Sequence, residues 1–268
     1  MNGLRSDDRR SLPYPPQIPE EVLGQPCYDE LTTRFLDEWL LGLAAKEETP
    51  ADPKEFRQIV LVGSGYDTRP FRLPWPTGTV LYLVASPESH EMAEALLSVH
   101  GSDCKVPEGC LLRRVNANLR AGAPFSEALT RAGYRPDRLS AWGLQGLVAQ
   151  GLDLAAWRGL LQEVDGMAAF ESIVLGELPE APARDQEDLL AEHGLLGAPI
   201  DYAPLGRSYG RWEDSWPAAR EGEGPRSLPA RAFFKAEHKR PSLEQTGVYT
   251  SFRAAMEDVD EDYTDNIS

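Results

Sequence analysis

Five short apolar runs recur along this chain, and helix-patterned segments separate the later ones. RQIVLVG (57–63), TVLYLVA (79–85), CLLRRVNANL (110–119), RLSAWGL (138–144) and FESIVLGEL (170–178) read as strands, the first two as buried ones. PESHEMAEALLSVH follows the second run, PFSEALTRAG the third, LDLAAWRGLLQEVDGMA the fourth and RDQEDLLAEHG the fifth, each read as a helix. Parallel strands need a crossover connection, usually a helix. The alternation therefore predicts an α/β fold built on a doubly wound, mostly parallel sheet. YDELTTRFLDEWLLGLAA (28–45) adds an upstream helix with one apolar stripe through Leu31, Phe35, Trp39, Leu40 and Leu43. RAFFKAEH (231–238) reads as a late, antiparallel strand, reached through a long loop dense in Pro and Gly. Trp39, Trp142 and Trp157 fall on apolar stripes and read as core, whereas Trp75, Trp212 and Trp216 fall in loops and are candidates to line a pocket.

Composition narrows the function classes. The 268 residues carry 43 acidic and 27 basic side chains, a formal net charge of −16, which disfavours nucleic acid and anionic lipid as partners. No apolar stretch approaches the roughly 18 residues of a membrane span. The opening MNGLRSDDRRSLPYPP lacks an apolar signal core, so a chain that is not secreted is expected. Three cysteines point to free thiols in the cytoplasm or a reducing organelle interior. The expected organisation is an extended arm over 1–27, one domain over 28–253 and an acidic tail over 254–268. His90, His100, Cys104 and Cys110 match no common ligand spacing, so no metal is expected. GRSYG (206–210) matches a nucleophile-elbow pattern, but Pro204 precedes it and no strand does.

The chemistry-bearing feature is the turn after the first strand. VGSGYDTR places Gly63 and Gly65 directly past the strand end, where ligands bind in open α/β sheets. Glycines there let backbone approach a ligand closely, and Asp67 or Thr68 is suited to cap a following turn. The third glycine of the dinucleotide fingerprint is absent. On the residues alone, an ordinary strand-to-helix turn stays open.

A longer stretch narrows the choice. QIVLVGSGYDTRPFRLPWPTGT (58–79) resembles the leucine carboxyl methyltransferase family, in which a Gly-x-Gly-x-Asp-Thr-Arg run followed by Arg-Leu-Pro marks the site of S-adenosylmethionine (SAM). TTRFLDEWL resembles the family's upstream helix, whose arginine reaches the methionine carboxylate; here that is Arg34. RRVNANLR resembles the segment ending in Asp-Leu near the adenine, AWGLQGLVAQGL the Glu-Gly-Leu stretch beside the methyl donor, and LLAEHGLLGAPIDYAPLGRSYGR the C-terminal Tyr-Gly-Arg region. The resemblance implies a Rossmann-like SAM-dependent methyltransferase fold with SAM as cofactor. It implies a cofactor site at Arg34, Gly63, Ser64, Gly65, Asp67, Ala85, Asn118, Leu119 and Gln145. It also implies a carboxylate or similar oxygen acceptor, a small molecule or a protein terminus, steered by Arg72, Tyr209 and Arg211.

The departures from that pattern are all in charge. The family's Glu-x-Asp-x-Pro is Leu83-Val84-Ala85-Ser86-Pro87 here, Asp-Leu is Asn118-Leu119, and Glu-Gly-Leu is Gln145-Gly146-Leu147. Four carboxylates are replaced. A hydrogen bond to a charged group contributes about 1.5 to 3 kcal/mol, so each serious loss weakens binding roughly tenfold to a hundredfold. Two functions follow. One is a SAM-dependent O-methyltransferase with an eroded cofactor site, in which Ser86 partly substitutes at the ribose. The other is a catalytically inactive protein of the same fold, a structural or assembly subunit of a larger complex, with an occluded pocket, for instance with Leu83 filling the ribose space.

Overall fold

The computed structural model describes residues 28–46, 54–63, 65–100, 104–179, 181, 183–200, 202–209 and 231–240. The expected arm and acidic tail lie outside the described residues, as do Cys27, Trp212 and Trp216. Among the described residues, seven strands form one sheet in the order β3-β2-β1-β4-β5-β7-β6. They are β1 (Gln58–Val62), β2 (Val80–Ala85), β3 (Leu111–Asn116), β4 (Ser140–Leu144), β5 (Ile173–Pro179), β6 (Leu195–Ile200) and β7 (Arg231–His238). The first five run parallel, and β7 pairs antiparallel with both β5 and β6. The α/β class, the parallel sheet and the antiparallel late strand are as the sequence predicts.

Strand side chains alternate between the two faces of the sheet, and each face carries its own core. One face sets Val60, Val62, Tyr82, Trp142 and Leu144 against α4 (Ser126–Arg131), α5 (Leu154–Met167) and α6 (Ala183–Glu192). The other sets Ile59, Leu61, Leu81, Leu83 and Phe233 against α1 (Tyr28–Ala44) and against Tyr202 of α7 (Tyr202–Ser208). Beside them stand the short α2 (Arg69–Arg72) and α3 (Pro87–His100), which follows β2.

α1 buries Leu31, Phe35, Leu36 and Leu40, but Trp39 is 38% exposed, with the Lys235 ammonium 3.6 Å above its ring. The expectation that Trp39 is core is thus corrected. The buried stripe is centred on Leu36 and Leu40, and Trp39 lies to one side of it, under a cation. Trp75 is buried, and its indole N–H donates to the Arg69 carbonyl at 2.8 Å. It packs the turn after α2 rather than lining a pocket. β6 is the strand the sequence hides: LLGAPI contains Gly197 and Pro199, which argue against a strand. It forms the sheet edge, where proline is tolerated. Ser208 of the GRSYG run closes helix α7 and donates to the Leu205 carbonyl, so no strand-to-helix elbow forms there.

Trp142 is fully buried at the centre of the sheet. It meets Tyr134 edge-on at 5.7 Å, and its indole N–H donates to Ser140 Oγ at 2.9 Å. Trp142→Ala is expected to destabilise the fold by about 3–5 kcal/mol, read as a lower midpoint in urea denaturation.

Candidate functional site

β1, β2 and β4 end side by side where the strand order reverses, the crevice position of open α/β sheets. The Gly63 amide donates to the Val84 carbonyl at 3.1 Å, and the Gln145 amide donates to the Val62 carbonyl at 3.1 Å. A Cβ on Gly63 would stand 2.2 Å from the Gln145 carbonyl oxygen. Glycine is therefore demanded at 63 by the meeting of two strand ends. Gly65 has φ +76°, and a Cβ there would stand 2.9 Å from Ser89 Cβ and 3.0 Å from Ala85 Cβ. The loop thus presses onto the head of α3.

Two cavities with mixed polar and apolar walls open around this loop. One, of about 420 Å³, lies between the ends of β1 and β4 and helix α1, lined by Thr33, Gly63, Asp67, Arg69, Arg72 and Gln145. The other, of about 680 Å³, lies between the head of α3 and the segment after β3, lined by Ser86, Glu88, Asn116, Asn118 and Leu119. Gly63, Tyr66 and Gln150 line both. A third cavity, of about 440 Å³, adjoins the first through Gly65 and Arg72 and is walled by Phe71, Leu83, Ala93 and Leu97. These volumes fall in the range of about 300–1,000 Å³ that holds small molecules.

A buried guanidinium organises the first cavity. Arg69 is 3% exposed. Its Nε donates to Asp37 at 2.7 Å, its Nη1 to Asp67 at 2.6 Å and its Nη2 to Gln145 Oε1 at 2.5 Å. Gln145 Nε2 in turn donates to Thr33 Oγ1 at 2.8 Å, which fixes the amide's orientation. Arg72 forks onto the same Asp37 at 2.5 and 2.7 Å. Two guanidiniums face two carboxylates, so the cluster is formally neutral. A glutamate at 145 would leave it with one negative charge. Below, fully buried Glu177 accepts from the Gly146 amide at 2.7 Å and holds the turn after β4.

The predicted residues divide into two sets. Gly63, Gly65, Asp67, Arg72 and Gln145 line the first cavity, and Asn118 and Leu119 line the second. Asn118 Oδ1 accepts from the Ala121 amide at 3.2 Å, capping the 3-10 turn Leu119–Ala121. Ala85 is fully buried beneath Gly65 and is not among the residues lining these cavities. Nor is Arg34: its guanidinium pairs with Glu38 at 2.9 Å and lies 4.1 Å over the Tyr209 ring. On α1, Thr33 and Asp37 share the face that meets the cavity, and Arg34 and Glu38 stand one residue further round. Tyr209 joins that outer group, donating to Glu38 at 2.8 Å, and does not stand with Arg72. Burial and the Glu38 carboxylate push its phenol up to about 12. Ser64 and Arg211 lie outside the described residues.

Sequence reasoning missed Thr33, Asp37, Arg69, Glu88 and Gln150. Arg69 stood in the quoted Asp-Thr-Arg block, and Asp37 lies one helical turn beyond Thr33, so both signals were present. Among the described residues, no three His, Cys, Asp or Glu side chains cluster as a metal site. Of the four weighed for zinc, His90 is buried with its Nε2 3.2 Å from the Val115 carbonyl, and Cys104 and Cys110 are free thiols. No described helix is long and apolar enough to cross a membrane.

The family model for leucine carboxyl methyltransferase matches residues 30–165. A protein of Frankia alni, named provisionally as an S-adenosyl-L-methionine-dependent methyltransferase, is 31% identical over 182 residues, covering 64% of this chain and 60% of that protein. One of Mycolicibacterium vanbaalenii, named in the same way, is 36% identical over 151 residues, covering 56% of this chain and 45% of that protein. O-methyltransferase 1, chloroplastic, of Oryza sativa subsp. japonica is 29% identical over 246 residues, covering 87% of this chain and 61% of that protein. The aligned part spans less than two thirds of each relative's length.

Removing Arg69 leaves Asp37 and Asp67 facing each other with one cation fewer. Arg69→Met is expected to cost about 3–5 kcal/mol in chemical denaturation. The head of α3 has its own pH dependence through His90. Burial, with a smaller push from Arg114, holds the imidazole below its ordinary pKa, while the Val115 carbonyl opposes the shift. The unfolded chain therefore takes up the proton first as pH falls, so the stability His90 confers is complete above about pH 6.5 and is lost on acidification. The urea midpoint should fall more steeply between pH 7 and 5 for the natural chain than for His90→Gln.

Proposed function

The chain belongs to the leucine carboxyl methyltransferase family, and from that premise we propose that it binds SAM across the first two cavities and methylates an oxygen nucleophile. The observation that carries this reading is the junction itself. Two cavities of about 420 and 680 Å³ meet at Gly63, past the ends of β1 and β4. A ligand with a polar amino-acid end and a nucleoside end fits such a pair.

The residues present fit the cofactor on a second observation. Gln150 Nε2 is buried with no hydrogen-bond partner among the described residues, and Gln150 lines both cavities. A buried donor of this kind is costly unless something accepts from it. In this reading Gln145, Gly63 and Gly65 hold the amino-acid end, and Asn118 and Leu119 flank the adenine. The cofactor, when bound, supplies a methyl carbon on a cationic sulfur. That chemistry would be methyl transfer to an acceptor oxygen, with S-adenosylhomocysteine as the leaving group. A carboxylate acceptor is already nucleophilic and needs no base, so the chain's part is alignment and exclusion of water. Arg72 lines both the first cavity and the apolar one walled by Phe71, Leu83 and Leu97. That placement favours an acceptor with an apolar body and an anionic oxygen group.

One observation favours the alternative, a non-catalytic assembly subunit: the cluster at Arg69 is formally neutral, so it offers no net attraction to a cationic sulfonium. The occlusion expected of such a subunit is not met by the open cavities: Leu83, beside Leu61 in the sheet, lines the first and third cavities and leaves them open. Isothermal titration calorimetry separates the readings. SAM and S-adenosylhomocysteine are expected to bind within about threefold of each other, because the neutral cluster does not sense the sulfonium charge. Gln145→Glu is expected to favour SAM over S-adenosylhomocysteine by about fivefold to tenfold, the worth of roughly 1 kcal/mol between partly screened charges. No heat with either ligand at millimolar concentration would leave only the subunit, which should then run in a complex rather than as a free monomer in native extracts.

A further inference from the structure

We propose that Glu88 and Gln150 recognise the ribose of the bound cofactor in place of the acid absent at Ala85, an inference that rests on the SAM-binding reading. A ribose diol presents two O–H donors and two oxygen acceptors. It is best met by a carboxylate on one side and an N–H on the other. Ala85 is fully buried under Gly65 and offers neither.

The nearby polar groups are already engaged. Ser86 Oγ accepts from the Ser89 amide at 3.2 Å and donates to Ser89 Oγ at 3.2 Å, acting as the cap of α3. Asn118 Oδ1 caps the turn that follows it. Asp67 is held by Arg69 through its side chain at 2.6 Å and through the Arg69 amide at 2.9 Å. Glu88 differs. It is exposed at the second position of α3, lines the 680 Å³ cavity, and has no cation partner among the described residues. Its own amide and the Ser86 hydroxyl hold the carboxyl below the usual range, so it is ionised at neutral pH and accepts only. It is the one carboxylate among the described residues lining that cavity.

Gln150 supplies the opposite chemistry: its Nε2 has no partner among the described residues and, closed to solvent in the empty cavities, meets a ligand there by rotation of its side chain. Together with Gly63 and Tyr66 it lines both cavities, which places it at their junction. The ribose is the part of SAM that joins the nucleobase to the amino-acid arm. In a ligand spanning both cavities it falls at that junction. A carboxylate from the first turn of α3 and an amide from the segment after β4 thus replace one carboxylate from the end of β2.

The test is calorimetric titration of the full chain with S-adenosylhomocysteine and with its 2′-deoxy analogue, on the natural chain, Glu88→Ala, Glu88→Gln and Gln150→Leu. Thermal melts serve as the folding control. Glu88→Ala and Glu88→Gln are expected to weaken S-adenosylhomocysteine about tenfold to a hundredfold, and Gln150→Leu about threefold to tenfold. The deoxy analogue, already weakened on the natural chain, should change by less than threefold in the Glu88 variants. Unchanged affinity in the Glu88 variants, or equal losses for both ligands, would overturn the inference while SAM binding stands. A natural chain that binds neither ligand would remove the SAM-binding reading, and this inference with it.

Discussion

The site depends on one close approach: the ends of β1 and β4 meet with no room for a side chain between them. Gly63 lies so near the Gln145 backbone that even a methyl group is excluded, and the strand-end hydrogen bonds on either side fix the distance. Everything at the crevice is referenced to that junction. Gln145 leaves it at a fixed height, so its amide reaches Arg69 on one side and Thr33 on the other. Arg69 then ties α1 to the loop after β1 through Asp37 and Asp67. A guanidinium with almost no exposure is costly to desolvate and is retained only where its donors are matched. Here three of its nitrogens are, by side chains from three separate segments.

Much of this was legible in the sequence because it is periodic. β1, β2, β4 and β5 announce themselves as apolar runs buried on both faces, whereas edge strand β3, with Arg113 and Arg114, is largely exposed or half-buried; the helices between them follow from the need to cross over. β6 was not legible because a strand with Gly197 and Pro199 reads as a loop until its edge position is known. Trp39 misled for a related reason. A helical stripe drawn from one-dimensional spacing has an uncertainty of about one residue at its margins, and an aromatic ring covered by Lys235 is half a core residue.

The candidate site divides along the same line. The glycines were readable because a strand-end turn tolerates few alternatives. The side chains were not, because helical rotation decides which of two neighbours faces the crevice. Thr33 and Asp37 face it, while Arg34 and Glu38 stand beside Tyr209. No motif distinguishes these faces without the helix's contact with the sheet. Arg69 was written into the quoted block, yet its role depends on partners 32 and 76 positions away in sequence.

Reading charge by alignment has the same weakness, and it overstates what this chain has lost. The acids missing from the ends of β2 and β4 are losses at particular backbone positions. A cavity responds to where carboxylate oxygens stand, not to which strand supplies them. Around this crevice carboxylates come from α1 (Asp37), the loop after β1 (Asp67), the head of α3 (Glu88) and β5 (Glu177). Two of these neutralise guanidiniums, one anchors a backbone turn and one faces a cavity with no cation partner among the described residues. Erosion along one strand and supply from neighbouring elements therefore have to be weighed together. By that measure what separates this site from one with a glutamate at 145 is a single formal charge beside Arg69, not the removal of every acceptor.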